Sequence, residues 1–151
     1  MSLFLVLKFL HILLAIVAVG FNASYAIWLA RVRQQPEAAS LILRGVQLMD
    51  NRFANPAYGL LLVTGFAMVF AASIPMTTFW IVAAVVLWVI AVGWGTGLYT
   101  PALKRQIAAL EARGFDSPDY RQLSQRAQVI GMVNMVPILL ILILMVFKPT
   151  L

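Results

Sequence analysis

The chain has 151 residues, of which 63% are hydrophobic and only 11% charged, with a formal charge of +6, no cysteine and a single histidine. A soluble domain carries roughly 25% charged residues, and the mean hydropathy here is +0.95, so the chain is a polytopic membrane protein. The missing cysteines exclude disulfides, thiolate metal sites and iron–sulfur clusters. The basic residues cluster between apolar runs, as in membrane topology, so no nucleic-acid partner is expected.

Four runs are apolar enough to span a core of about 30 Å: residues 3–30, 55–73, 78–99 and 128–147. The predicted fold is all-α, a bundle of four transmembrane helices with short cytoplasmic helical extensions, forming one membrane domain over 1–151. The first run is too long for a signal peptide and has no basic region before it, so it reads as an uncleaved span. At about 100° per residue, Lys8, His11, Ala15, Ala18, Asn22 and Tyr25 share one face of that span. A polar face inside a membrane should turn toward protein or a cavity. His11 on this face reads in two ways. It ligates a metal or haem, or relays protons, with Ala15 and Ala18 leaving room for a flat group; or it bonds a neighbouring helix across a seam narrowed by the alanines. Lys8 lies close enough to the span's outer end to snorkel.

The connection 31–54 opens on Pro36 with Glu37 in the first turn, a helix start. Its mixed apolar and basic pattern reads as an interfacial helix or an extension of span two, with Asn55-Pro56 as a break or kink. Asp50 and Arg52 at its end read as a helix-end pair, so no acid is expected within any span. This weakens a cation-transporter reading. Residues 74–77 form a short uncharged turn. Span three carries Gly93-Trp94-Gly95-Thr96-Gly97, a GxxxG of the kind that pairs helices within a chain or between two chains. Beside the lipid bilayer, a homodimer or larger membrane complex is therefore an expected partner. Trp28, Trp80, Trp94 and Tyr99 sit near span ends, where aromatic anchors collect. Thr100-Pro101 starts another helix that ends at Gly114, and Ser117-Pro118 caps the last one. Span four carries Gln125, Gln128, Met132 and Met135 on one stripe. Met68 in span two matches the depth of His11.

Basic residues are Arg31, Arg33, Arg44 and Arg52 in the first connection and Lys104, Arg105, Arg113, Arg121 and Arg126 in the second. The other side has Lys148 and Lys8. The positive-inside rule places both connections in the cytoplasm and both termini outside.

Four short motifs follow in order: Lys8-x-x-His11, Met49-x-x-Arg52, Asn134-x-x-Pro137 and Val146-Phe147-Lys148-Pro149. This order resembles the HemJ-type protoporphyrinogen oxidases, small bacterial inner-membrane proteins that bind haem b, and is similar to predicted integral membrane proteins and copper-resistance-like membrane domains. The resemblance implies a haem b pocket around His11 as iron ligand, with Lys8, Asn22, Arg52 and Asn134 near it; Ala15 and Ala18 would leave it room, and Met68, by its depth, is the second axial candidate. The oxidases carry a histidine and a lysine in span three and an acid after the span-four asparagine. Here span three has neither and Met135 stands in the acid's place, so the resemblance implies the fold and pocket without the oxidase reaction. The alternative is an accessory membrane subunit with no cofactor.

Overall fold

The computed structural model describes residues 2–149. Among them there is no strand, and four continuous helical stretches are long and apolar enough to cross a membrane: Leu3–Gln34, Pro36–Ala71, Phe79–Arg113 and Pro118–Phe147. Helix α1 (Leu3–Gln34) is the first. The second comprises a short 3₁₀ turn, α2 (Ala39–Met49) and α3 (Asn55–Ala71). The third comprises α4 (Phe79–Trp94) and α5 (Thr100–Arg113), and α6 (Pro118–Phe147) is the fourth. α1 packs along α3 and α4 along α6, while α2 and α5 tie the two pairs together at the basic end.

The expected break at Asn55-Pro56 is absent. α2 and α3 run on through one π turn, Asp50–Ala54, and α4 and α5 through another, Gly95–Tyr99. The cause is local. Pro56 has no N–H for the carbonyl of Arg52, and Pro101 none for that of Gly97. A wider turn absorbs the misfit: Asn55 N–H donates to Asp50 C=O and Thr100 N–H to Gly95 C=O, five residues back in each case. Single π turns of this kind often mark functional sites.

α2 is an extension of span two, and its apolar face is buried rather than laid on a membrane surface. Leu43 and Val46 are fully enclosed beside Tyr25, Val32, Tyr99, Leu103, Ile107 and Tyr120. At its rim Arg44 Nη2 lies 2.6 Å from Glu111 Oε1. The predicted caps are present. Gly114 has φ +81 and ends α5, and the Ser117 hydroxyl accepts from Tyr120 N–H at 3.2 Å to start α6. Trp28 is exposed at the end of span one and the Lys148 ammonium lies 5.4 Å above the Trp80 ring, both as interfacial anchors.

Two of the aromatic anchors turn inward instead. Tyr99 is buried, and Trp94 Nε1 donates to Ile130 C=O at 3.1 Å across the α4–α6 seam. Gly131 is what lets Tyr99 in: a Cβ there would stand 3.1 Å from Tyr99 Cε2. Gly131→Ala is therefore expected to cost about 1 kcal/mol, because the Tyr99 ring must shift to admit the methyl and alanine's better helix propensity offsets only part of that overpacking. Thermal unfolding in detergent checks it, with Gly97→Ala as the control, because a Cβ at Gly97 meets nothing within 4 Å. Gly93 is equally open, so among the described residues the GxxxG makes no close helix contact.

Candidate functional site

The face of α1 picked out by helical spacing turns inward with one exception: His11 and Asn22 meet α3, and Tyr25 joins the cluster at the basic end. His11 Nδ1 lies 2.8 Å from Thr64 Oγ1, and the Thr64 hydroxyl itself donates to Leu60 C=O at 2.8 Å. The imidazole lies against Gly65, where a Cβ would be 3.3 Å from His11 Cε1. Ala18 is fully buried. Asn22 Nδ2 donates to Ala18 C=O at 3.0 Å and to the Tyr58 hydroxyl at 3.2 Å. Lys8 is the exception. It is exposed, because a long stem near a helix end can carry its charge to the interface more cheaply than it can bury it.

Nearer the basic end, a polar centre lies between the two π turns, where Asp50, Gly95 and Tyr99 line one small cavity. Asp50 is only 5% exposed. Its Oδ2 accepts from Asn55 Nδ2 at 3.2 Å and from the Thr100 hydroxyl at 3.4 Å. Arg52 is exposed, and among the described residues no ion pair joins it to Asp50. The expected helix-end pair is thus replaced by a carboxyl enclosed in the bundle. Asp50 continues the buried face of α2, four residues after Val46 and seven after Leu43, both of which are fully enclosed. A cavity of about 20 Å³ lies between Asp50, Asn22, Asn55, Tyr58, Gly95 and Asn134. One water-sized group needs roughly 10–15 Å³. The Asn134 side-chain oxygen is buried with no partner, as is the Tyr25 hydroxyl. An orphaned buried polar atom costs about 1–3 kcal/mol, so the arrangement favours a group that supplies what is missing.

Haem fits these residues only in part. The Thr64 contact engages Nδ1 and leaves Nε2 of His11 for a ligand, the usual way a ligating histidine is oriented. Ala18 is fully buried and leaves no open slot beside it, whereas Ala15 is only half-buried. Met68 lies one turn beyond Thr64 on α3 and is half-buried. Arg52 and Asn134 do not join His11. Asn134 belongs to the Asp50 centre, and Arg52 points away from both. Neither that centre nor the larger cavity at the basic end is lined by His11.

Asp50 was legible only in retrospect. Each π turn precedes an Asn-Pro or Thr-Pro pair, and Asp50 stands five residues before Asn55, the spacing of a π-turn hydrogen bond. No curated protein and no solved structure matches the chain, so no named relative supports the oxidase or copper-resistance resemblance. A family match does cover nearly the whole length: over residues 5–149 the chain belongs to the predicted integral membrane protein family DUF2269.

Proposed function

We propose that this integral membrane protein binds one small monovalent cation, of the size of sodium, at the Asp50 centre, and that the bound ion ties the two π turns together. The observation that carries this is a buried carboxyl whose hydrogen-bond partners are neutral, facing a cavity that the orphaned Asn134 oxygen also faces. A buried carboxylate without a counter-charge is costly and is held by pairing or by an ion. The available ligands are all oxygens: the Asp50 carboxylate, side-chain oxygens of Asn22, Asn55 and Asn134, and the Tyr58 hydroxyl. Oxygen donors suit hard cations. A single carboxylate balances a single charge, and no cluster of three His, Cys, Asp or Glu exists among the described residues. Binding only to the folded state raises stability. The melting temperature in detergent should therefore rise in sodium chloride relative to choline chloride at equal ionic strength. If the two salts act alike, the ion reading is lost. A protonated-carboxyl infrared band that vanishes in Asp50→Asn would then make the proton the occupant.

A second reading, b-type haem on His11, is favoured by the free Nε2. Haem bound there would supply redox chemistry. His11 would anchor the iron and Thr64 would fix the ring, with Met68 the nearest thioether on the same face. In that case the purified protein shows a Soret band that His11→Ala abolishes and Met68→Leu shifts. A band unchanged by His11→Ala excludes the histidine as ligand. With neither ion nor haem, the chain is an accessory subunit.

The charge distribution supports a bacterial inner-membrane location with both termini outside. A reporter fused after Leu151 should be active only if it works in the periplasm; activity of a cytoplasmic reporter there would invert the topology.

A further inference from the structure

The larger cavity lies at the basic end, between the end of α1, α5 and the start of α6. Its volume is about 320 Å³, within the roughly 300–1,000 Å³ of small-molecule sites. Arg33, Arg121, Ser124, Gln125, Gln128 and Phe115 are among its lining residues. The lining contains two guanidinium groups and no carboxylate. Arg33 Nη2 donates to Gln128 Oε1 at 2.6 Å, which holds the guanidinium at the mouth, and its other N–H groups have no partner among the described residues. Among the described residues Arg121 is paired only with Asp116, at 3.2 Å, and the Asp116 side chain is 90% exposed. Such an exposed pair is weak and yields to a stronger anion. Inside, Gln106 is 2% exposed and its Nε2 donates to Ser124 Oγ at 3.2 Å, which fixes the polar floor.

Two features set the height of this cavity in the bilayer. Leu29 and Val32 form its apolar wall, and Trp28, the exposed interfacial anchor, directly precedes Leu29. The cavity therefore stands at the level of lipid headgroups, with acyl chains below it and water above it. Guanidinium groups bind phosphate oxygens in paired N–H···O bonds, and basic pockets between transmembrane helices take anionic headgroups.

We propose that this cavity binds an anionic phosphate group, held between Arg33 and Arg121 with Gln125 and Ser124 completing the hydrogen bonds. Two sources present that chemistry at this height, the phosphodiester of an anionic lipid and free phosphate. The site is separate from the Asp50 centre and does not depend on it.

The test is thermal unfolding of the full chain in detergent at one fixed sodium concentration, so that the Asp50 centre is equally occupied throughout. Short-chain phosphatidylglycerol, short-chain phosphatidylcholine and inorganic phosphate are titrated separately. A rise with phosphatidylglycerol alone identifies a lipid headgroup; a rise with inorganic phosphate as well identifies recognition of the phosphate itself. Both support the site. In Arg33→Gln/Arg121→Gln the apparent affinity should fall about tenfold or more, the loss expected for charge-assisted hydrogen bonds. Gln125→Glu, an exposed position that adds a negative charge to the lining, should weaken binding in the same way with both arginines intact. The proposal is overturned if neither anion raises the melting temperature, if phosphatidylcholine acts as strongly as phosphatidylglycerol, or if the response survives in these variants.

Discussion

Asp50→Asn is expected to abolish the sodium dependence of the melting temperature while leaving the helix content unchanged. Asparagine has the shape of aspartate, and its side-chain oxygen can still accept from Asn55 and Thr100, which bond Asp50 at 3.2 and 3.4 Å. The packing of the two π turns is kept and only the charge goes. Without the charge, neutral amide oxygens alone must repay the dehydration of the cation, which they do poorly inside a bundle. At a sodium concentration one hundred times the dissociation constant, an ion that binds only the folded chain contributes about 2.7 kcal/mol. Wild type should show that gain over choline and the variant none. In choline the order narrows or reverses, since the variant no longer buries an uncompensated carboxylate. A sodium response of wild-type size in Asp50→Asn would remove Asp50 from the site.

Span-level architecture was readable because it rests on two strong signals, the length of apolar runs and the period of the helix. The face Lys8, His11, Ala15, Ala18, Asn22 and Tyr25 illustrates both the strength and the limit. Periodicity put His11 and Asn22 toward a neighbouring helix, and both bond α3 there. It could not place Lys8, whose four-carbon stem reaches the interface from any face. Nor could it choose between a cofactor slot and a tight seam at Ala18, because small residues serve either. The hidden centre arose from the same kind of ambiguity. Asn55-Pro56 and Thr100-Pro101 are breaks by local rule. Within a bundle, where freed backbone groups must be satisfied internally, each became a π turn that keeps the helix continuous. Asp50 itself follows Leu43 and Val46 at helical spacing on the buried face of α2, so the continuous helix holds it in the interior. Tyr99, read as an interfacial anchor, stands four residues before Leu103 and seven before Gln106 on the buried face of the helix that α5 continues. Both residues therefore extend a buried helical face at the basic end, which their place near the ends of the apolar runs did not reveal.

That centre also depends on where the chain has a true hydrophobic core, and Leu43→Ala should expose this. Leu43 is fully buried, in the cluster that joins α2, α5 and the ends of α1 and α6. This end of the molecule lies among the basic connections, where removing apolar surface from water is a driving force. Truncating a buried leucine in such a core costs about 2–5 kcal/mol. Leu139, on α6, is 49% exposed on the apolar stretch of its helix. There the surrounding lipid is as apolar as leucine, so burial gains little, and Leu139→Ala should stay within about 0.5 kcal/mol of wild type. The comparison is made by thermal or denaturant unfolding in one detergent. Leu43 also lies seven residues, two turns, before Asp50 on the same face of the second helical stretch. A cavity at Leu43 lets that stretch shift, and the Asp50 centre loosens with it. Leu43→Ala should therefore weaken the sodium response as well as the fold, whereas Leu139→Ala should leave it intact. Equal losses of stability in the two variants would mean that the lipid-facing helices, and not the core at the basic end, hold the π turns in place.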